Sequence, residues 1–176
     1  VSPDAAPPPE RRGRAWSWAT QIALVLLVYF GVTRWQQSGL LTRGVHAPDF
    51  TLRTPTGDQV SLDAYRGKTV LVHFWATWCG VCRQEFGMLN RVHDALGADS
   101  VLLSIVEDGD NPDLRRFIDE QGIRYPVLLG TSKLLRDYKV GAFPTNYFID
   151  SSGNVQDHTV GLSTEWTTRA RLGCTR

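Results

Sequence analysis

The sequence predicts an α/β fold, with a central mixed β-sheet flanked by helices, an N-terminal β-hairpin and one apolar helix ahead of them. Three observations carry that prediction. Apolar runs of strand length at Thr69–Trp75 and Val101–Val106 are each followed by a helical segment, the pattern of parallel strands joined by crossovers. Two further strand-like segments, Asn146–Ile149 and Val155–Val160, are joined by the turn Asp150-Ser151-Ser152-Gly153-Asn154 and read as an antiparallel pair. Finally, Ala15–Val32 has a continuously apolar interior from Ile22 to Phe30.

Taken in order, Val1–Glu10 is rich in proline and alanine and is expected to be disordered. The apolar helix that follows would span about 27 Å, close to the hydrocarbon thickness of a bilayer. Trp16, Trp18, Tyr29 and Trp35 sit near its ends, where amphipathic rings prefer the headgroup zone, and Arg11, Arg12 and Arg14 predict a cytoplasmic amino side. A cleaved signal peptide is the competing reading. Gly31-Val32-Thr33-Arg34-Trp35 offers no small-x-small cleavage site, which favours an uncleaved anchor. The predicted organisation is therefore a tail over residues 1–14, a transmembrane anchor over 15–33, a tether over 34–43 and a catalytic domain over 44–176.

Within that domain, Ala47–Leu52 and Gln59–Leu62 flank the turn Thr54–Asp58 and predict a hairpin. After the strand Thr69–Trp75, Phe86, Leu89, Val92 and Leu96 recur at helical spacing and predict a helix over Val81–Leu96. The second strand leads through the acidic loop Glu107–Asn111 to a helix opened by Pro112 and stopped by Gly122. Tyr125–Leu129 and Thr131–Tyr138 are short elements of undetermined type. Ser163 or Thr164 caps a last helix carrying Trp166, Ala170 and Leu172.

Composition narrows the function. From Gly44 onward the chain has 14 basic and 16 acidic side chains and no long basic run, so nucleic acid is excluded as an expected partner. Three cysteines are too few for a disulfide-stapled scaffold. Cys174 is the odd one out, read as a thiol near a fraying terminus.

Chemistry concentrates in Trp78-Cys79-Gly80-Val81-Cys82, a Cys-x-x-Cys pair between a buried strand and a helix. Unpaired N–H groups and the positive dipole end at a helix start favour a thiolate on Cys79, and Cys82 stands one turn on to resolve it. Zinc is disfavoured, since no second Cys-x-x-Cys exists and His46, His73, His93 and His158 lack ligand spacing. No cofactor or metal is expected. A second feature is Pro144, directly before the apolar strand Asn146–Ile149; alone it reads only as a proline tolerated at a strand start.

Together these residues resemble the thioredoxin superfamily, and the resemblance implies that Phe143, Pro144 and Thr145 form a cis-proline loop that docks a substrate polypeptide. The blocks Ala47-Pro48-Asp49-Phe50, Gly67-Lys68, Phe74–Cys79 and Cys82-Arg83-Gln84-Glu85 are similar to the membrane-anchored thiol-disulfide oxidoreductases of bacterial envelopes, the TlpA, ResA and DsbE group. The ending Gly161–Leu172 is more particularly similar to the suppressor-of-copper-sensitivity D proteins. The resemblance implies a redox disulfide between Cys79 and Cys82, cysteine-containing envelope proteins as substrates, a membrane electron-transfer partner, and an inner-membrane protein with its catalytic domain periplasmic or otherwise extracytoplasmic. Glu85, three residues beyond Cys82 on the face turned toward the disulfide, is a catalytic proton-relay candidate; its other reading is an acid complementing the helix dipole. His73 occupies the position where cytoplasmic thioredoxins keep a buried acid, and is either a proton shuttle or a core polar group. Gly87 stands where relatives usually place a helix-kinking proline. Two alternatives stay open: a reductant for apocytochrome c in cytochrome c maturation, and a module holding Cu(I) between the two thiolates.

Overall fold

A computed structural model describes residues 12–174, with side chains described at 18–32 and 39–173. It divides into two units, one ending at Ser38 and one running from Gly39. The first is a helix, α1, over Arg12–Ser38. Its described apolar side chains, Ile22, Leu24 to Leu27 and Phe30 among them, are all exposed. Among the described residues no helix is long and apolar enough to cross a membrane. The expected disordered segment Val1–Glu10 and the side chains of Arg11, Arg12, Arg14, Trp16 and Trp35 lie outside the described residues.

The second unit opens with Leu40 and Leu41, both buried in its core, so the ordered domain begins ahead of Gly44. The tether expected over residues 34–43 is thus helical up to Ser38 and packed from Leu40. Leu41 N–H donates to the Tyr147 hydroxyl at 3.3 Å, which fastens this entry segment to the sheet.

The hairpin forms as expected from β1 (Thr51–Arg53) and β2 (Gln59–Ser61), antiparallel across the Thr54–Asp58 turn. The main sheet contains β3 (Thr69–Trp75), β4 (Ser100–Val106), β5 (Val127–Leu129), β6 (Thr145–Ile149) and β7 (Val155–Val160) in the order β5-β4-β3-β6-β7. Neighbours of β3 and β4 on the β5 side are parallel, and β6 and β7 are antiparallel, so the sheet is mixed. All seven residues of β3 are buried, as its unbroken apolar run requires of a central strand.

Alternation along β3 divides the core. Val70, Val72 and Phe74 face the hairpin, the entry segment and the short helix α4 (Ser132–Asp137). Leu71 and Trp75 face the other way, toward α2 (Gly80–Asp94), α3 (Leu114–Glu120) and α5 (Glu165–Cys174). His73 shares this second face by period.

Two undetermined segments resolve through local chemistry. Val127–Leu129 pairs parallel with β4. Thr131 caps α4 by accepting from Leu134 N–H at 3.2 Å. Pro112 does not begin α3; it lies inside a turn in which Asn111 Oδ1 accepts from Asp113 N–H at 3.0 Å, and the helix starts at Leu114. In α5 the buried residues are Thr168 and Leu172, one helical turn apart, while Trp166 is 76% exposed.

Candidate active site

The strand β3 ends at Trp75, and Ala76–Trp78 turn the chain into α2 with Cys79 at its N-cap. Cys79 and Cys82 form a disulfide with a Cα–Cα separation of 5.4 Å. Cys82 N–H donates to Cys79 Sγ at 3.1 Å, one of the otherwise orphan donors of the first helical turn. That donor and the positive helix end favour negative charge on Cys79 when the pair is reduced. Cys79 retains 6% exposure and Cys82 none, so an incoming sulfur can meet only the first cysteine.

The turn ahead of the disulfide is pinned from the loop after β4. Asp108 accepts from Thr77 N–H at 2.9 Å and from the Thr77 hydroxyl, and Asn111 Nδ2 donates to the same hydroxyl at 3.2 Å. Arg83 donates to the Thr77 carbonyl at 3.0 Å and lies 5.2 Å from the centre of the Phe117 ring. Behind it Trp75, Phe86 and Phe117 form a packed aromatic group, with ring centres 5.0 to 6.2 Å apart. The acidic loop was legible only as a connection; its role in holding the Cys-x-x-Cys turn emerges from the fold.

Phe143, Pro144 and Thr145 sit at the start of β6. The Phe143–Pro144 peptide is cis. Phe143 packs edge-on against Trp78 at 5.7 Å between ring centres and touches the cluster that holds both cysteines. Trp78 is 66% exposed, and Val81 and Leu162 are also exposed. Gly161, the neighbour of Leu162 in the chain, donates its N–H to the Pro144 carbonyl at 2.9 Å. Thr145 differs in kind: it is fully buried and its hydroxyl donates to the Ala142 carbonyl at 2.7 Å, so it shapes the loop and presents no side chain outward.

Glu85 is 1% exposed although it carries a carboxyl group. Its Oε1 accepts from Ser163 N–H, while Oε2 has no hydrogen-bond partner. Burial pushes its pKa up, contacts to the Ser163 amide and hydroxyl oppose that, and the balance leaves it at about 7. A buried acid in the second turn cannot be a solvated complement to the helix dipole. His73 is fully buried with Nδ1 2.9 Å from Asn146 Oδ1 and Nε2 unpartnered. Desolvation drives its pKa down to about 4, against the opposing hydrogen bond, so the ring is neutral near pH 7.

The sequence profile of the AhpC/TSA family matches residues 44–158. The chain belongs to the AhpC/TSA family. This AhpC/TSA chain is 34% identical over 159 residues to the thioredoxin-like protein YneN of Bacillus subtilis (strain 168), covering 84% of this chain and 92% of YneN. It is 31% identical over 152 residues to the thiol-disulfide oxidoreductase ResA of Geobacillus kaustophilus (strain HTA426), covering 83% of this chain and 87% of ResA. Among solved structures it resembles a thioredoxin-family thiol:disulfide interchange protein of Chlorobium tepidum TLS. That likeness has a TM-score of 0.69 and 28% identity, and covers 77% of this chain and 98% of the other. With the Cys79–Cys82 disulfide at the helix start, this AhpC/TSA member is a thiol-disulfide oxidoreductase of thioredoxin-like fold.

Proposed function

We propose that the protein is a membrane-anchored enzyme that exchanges disulfides with cysteine-containing proteins of the bacterial envelope. The observation that carries this reading is the contrast at the disulfide: Cys79 is reachable and capped by a helical N–H, whereas Cys82 is fully buried near a carboxyl group that titrates near neutrality. In the reducing direction the Cys79 thiolate attacks one sulfur of a client disulfide, and the other client sulfur leaves as a thiolate and takes up a proton. Cys82 then yields its proton to the Glu85 carboxylate and attacks Cys79 Sγ. The Cys79–client bond breaks, the Cys79–Cys82 bond forms, and two electrons have passed to the client. Run backward, the same steps oxidise a client dithiol.

Trp78, Phe143 and Pro144 hold the client chain beside Cys79, and Thr145 sets the shape of that loop. A membrane electron-transfer partner restores the resting redox state. The exposed apolar side chains of α1 from Trp18 to Val32 support an anchor over residues 15–33 in the inner membrane, and Arg11, Arg12 and Arg14 ahead of it in the sequence support a domain on the extracytoplasmic side. Similarity of Gly161–Leu172 to the suppressor-of-copper-sensitivity D proteins supports a link to copper tolerance.

Cys82→Ala tests the reading directly. Expressed in the envelope, this variant accumulates mixed disulfides through Cys79 that dissolve on reduction, and identification of the captured chains separates general envelope clients from apocytochrome c. Absence of reducible adducts in Cys82→Ala, with Cys79 still present, overturns the assignment of the two cysteines.

A further inference from the structure

Thr77 is buried two residues before Cys79, and each of its polar atoms is engaged by a side chain from elsewhere in the fold. Its N–H donates to Asp108 Oδ1 at 2.9 Å, and its carbonyl accepts from Arg83 Nη2 at 3.0 Å. Its hydroxyl accepts from Asn111 Nδ2 at 3.2 Å and donates to Asp108 Oδ2. Those directions follow from chemistry. A carboxylate only accepts, and Asn111 Oδ1 is occupied by Asp113 N–H at 3.0 Å, which turns the Asn111 NH2 toward Thr77. Asp108 itself stands on a firm support. Glu107 N–H donates to the Trp75 carbonyl at 2.8 Å, and Asn111 N–H closes a turn on the Asp108 carbonyl at 3.0 Å. Gly109 lies so near β5 that a Cβ there would stand 2.9 Å from Leu129 Cβ.

While Cys79 and Cys82 are joined, the covalent bond by itself keeps Cys79 Sγ at the Cys82 N–H, 3.1 Å away. Once that bond opens, the sulfur stays over the N–H only if the turn Ala76–Trp78 keeps its shape. Inside the turn, Cys79 N–H donates to the Ala76 carbonyl at 3.1 Å, and the residue between them is Thr77 and its neighbour Trp78. Two of the bonds that fix Thr77 end on Asp108. We propose that Asp108 is a positioning residue of disulfide exchange, holding Thr77 so that the reduced Cys79 sulfur keeps the helical N–H that favours its thiolate. The role rests on the reading of Cys79 as the sulfur that reacts. It belongs to the reduced protein, because in the oxidised one the disulfide already does the same work.

The test follows the ultraviolet absorbance of thiolate in the reduced full chain between pH 4 and pH 10, for the native protein and for Asp108→Ala, Asp108→Asn, Thr77→Val and Cys79→Ser. Asp108→Ala is expected to raise the Cys79 midpoint by about one pH unit, the order of one hydrogen bond to a charged group. Asp108→Asn keeps an oxygen that accepts from Thr77 N–H, and leaves the midpoint at or below the native one. Thr77→Val loses the hydroxyl and keeps the amide, so it falls between the native protein and Asp108→Ala, and it carries the test if Asp108→Ala does not fold. In glutathione buffers Asp108→Ala shifts the equilibrium toward the disulfide by up to about tenfold. The other groups facing the turn are common to the Asp108 and Thr77 variants. They are Glu107, which accepts from Trp78 Nε1 at 3.4 Å, and Arg83 and Glu85 on α2; His73 of β3 is neutral, and Phe143 and Pro144 bring no charge. A residue that merely packs would lower the urea midpoint of oxidised and reduced protein alike and leave the thiol midpoint in place. That result overturns the role of Asp108, as does a midpoint lowered equally in Asp108→Ala and Asp108→Asn, which would mean that the carboxylate acts on the sulfur by its charge. In either case loss of the titration in Cys79→Ser leaves the reading of Cys79 standing. Persistence of the titration in Cys79→Ser overturns that reading, and the role of Asp108 with it.

Discussion

Glu85 and His73 are buried titratable groups whose effects on stability have opposite sign. Glu85 ionises at about 4.5 when unfolded and about 7 when folded, so between those values the native state binds more protons and stability falls as pH rises. His73 protonates at about 6.5 unfolded and about 4 folded, so there the unfolded state binds more protons and stability rises with pH. Over the shared window, about 4.5 to 6.5, the two slopes cancel. Glu85→Gln removes one of them. Urea unfolding of the oxidised variant should show stability rising from pH 4 to pH 6.5 by about 3 kcal/mol more than that of the native protein, His158, also lowered by desolvation, adding the same further rise to both. At pH 8 the variant should be more stable than the native protein by a similar amount. A variant that tracks the native protein at both ends of the range would show that Glu85 is not desolvated.

At the scale of elements, α2 is the piece on which both packing and chemistry depend. Phe86, Leu89 and Val92 bury its apolar stripe against Trp75 and the sheet, as their spacing foretold. Cys82, Glu85 and Asn90 are buried on it too, and hydrophobic periodicity has no means of placing polar residues inside. Asn90 is satisfied from outside its helix: it donates to the Gly122 carbonyl at 2.7 Å and accepts from Arg124 N–H at 2.9 Å. Gly87, where relatives usually carry proline, lies within an uninterrupted helical run, and a Cβ there would meet only Arg91 Nη1 at 3.9 Å. Gly87→Ala is accordingly expected to stabilise the domain by about 0.5–1 kcal/mol, read as a higher urea midpoint with unchanged exchange activity. Gly130 is the opposite case, because a Cβ there would stand 2.6 Å from the Val106 carbonyl oxygen. Gly130→Ala should lower the urea midpoint by separating β4 from the loop after β5.

The molecule as a whole is two units joined at Ser38 and Gly39. Entry residues Leu40 and Leu41 belong to the catalytic unit, so cutting at Gly44 would remove core side chains while cutting at Gly39 would spare them. Expression of residues 39–176 should give a soluble, active protein, and expression of 44–176 a destabilised one, by the loss of two buried leucines at about 2–5 kcal/mol each for truncation to alanine. Equal unfolding midpoints for the two would place Leu40 and Leu41 outside the cooperative core. The parallel-then-antiparallel progression and the position of the Cys-x-x-Cys pair were legible from residue order, because strand-length apolar runs, turn residues and a helix start are local signals; the place of β5 and the spatial order β5-β4-β3-β6-β7 were not. Burial of Glu85, its tie to Ser163, the pinning of Thr77 by Asp108 and the contact of Phe143 with Trp78 are made by residues 31 to 78 positions apart. Such contacts leave no local trace, since they exist only once β3, β6 and α5 have closed around α2; the chain announces the two sulfurs, and the closed fold determines which is reachable and which acid stands near them.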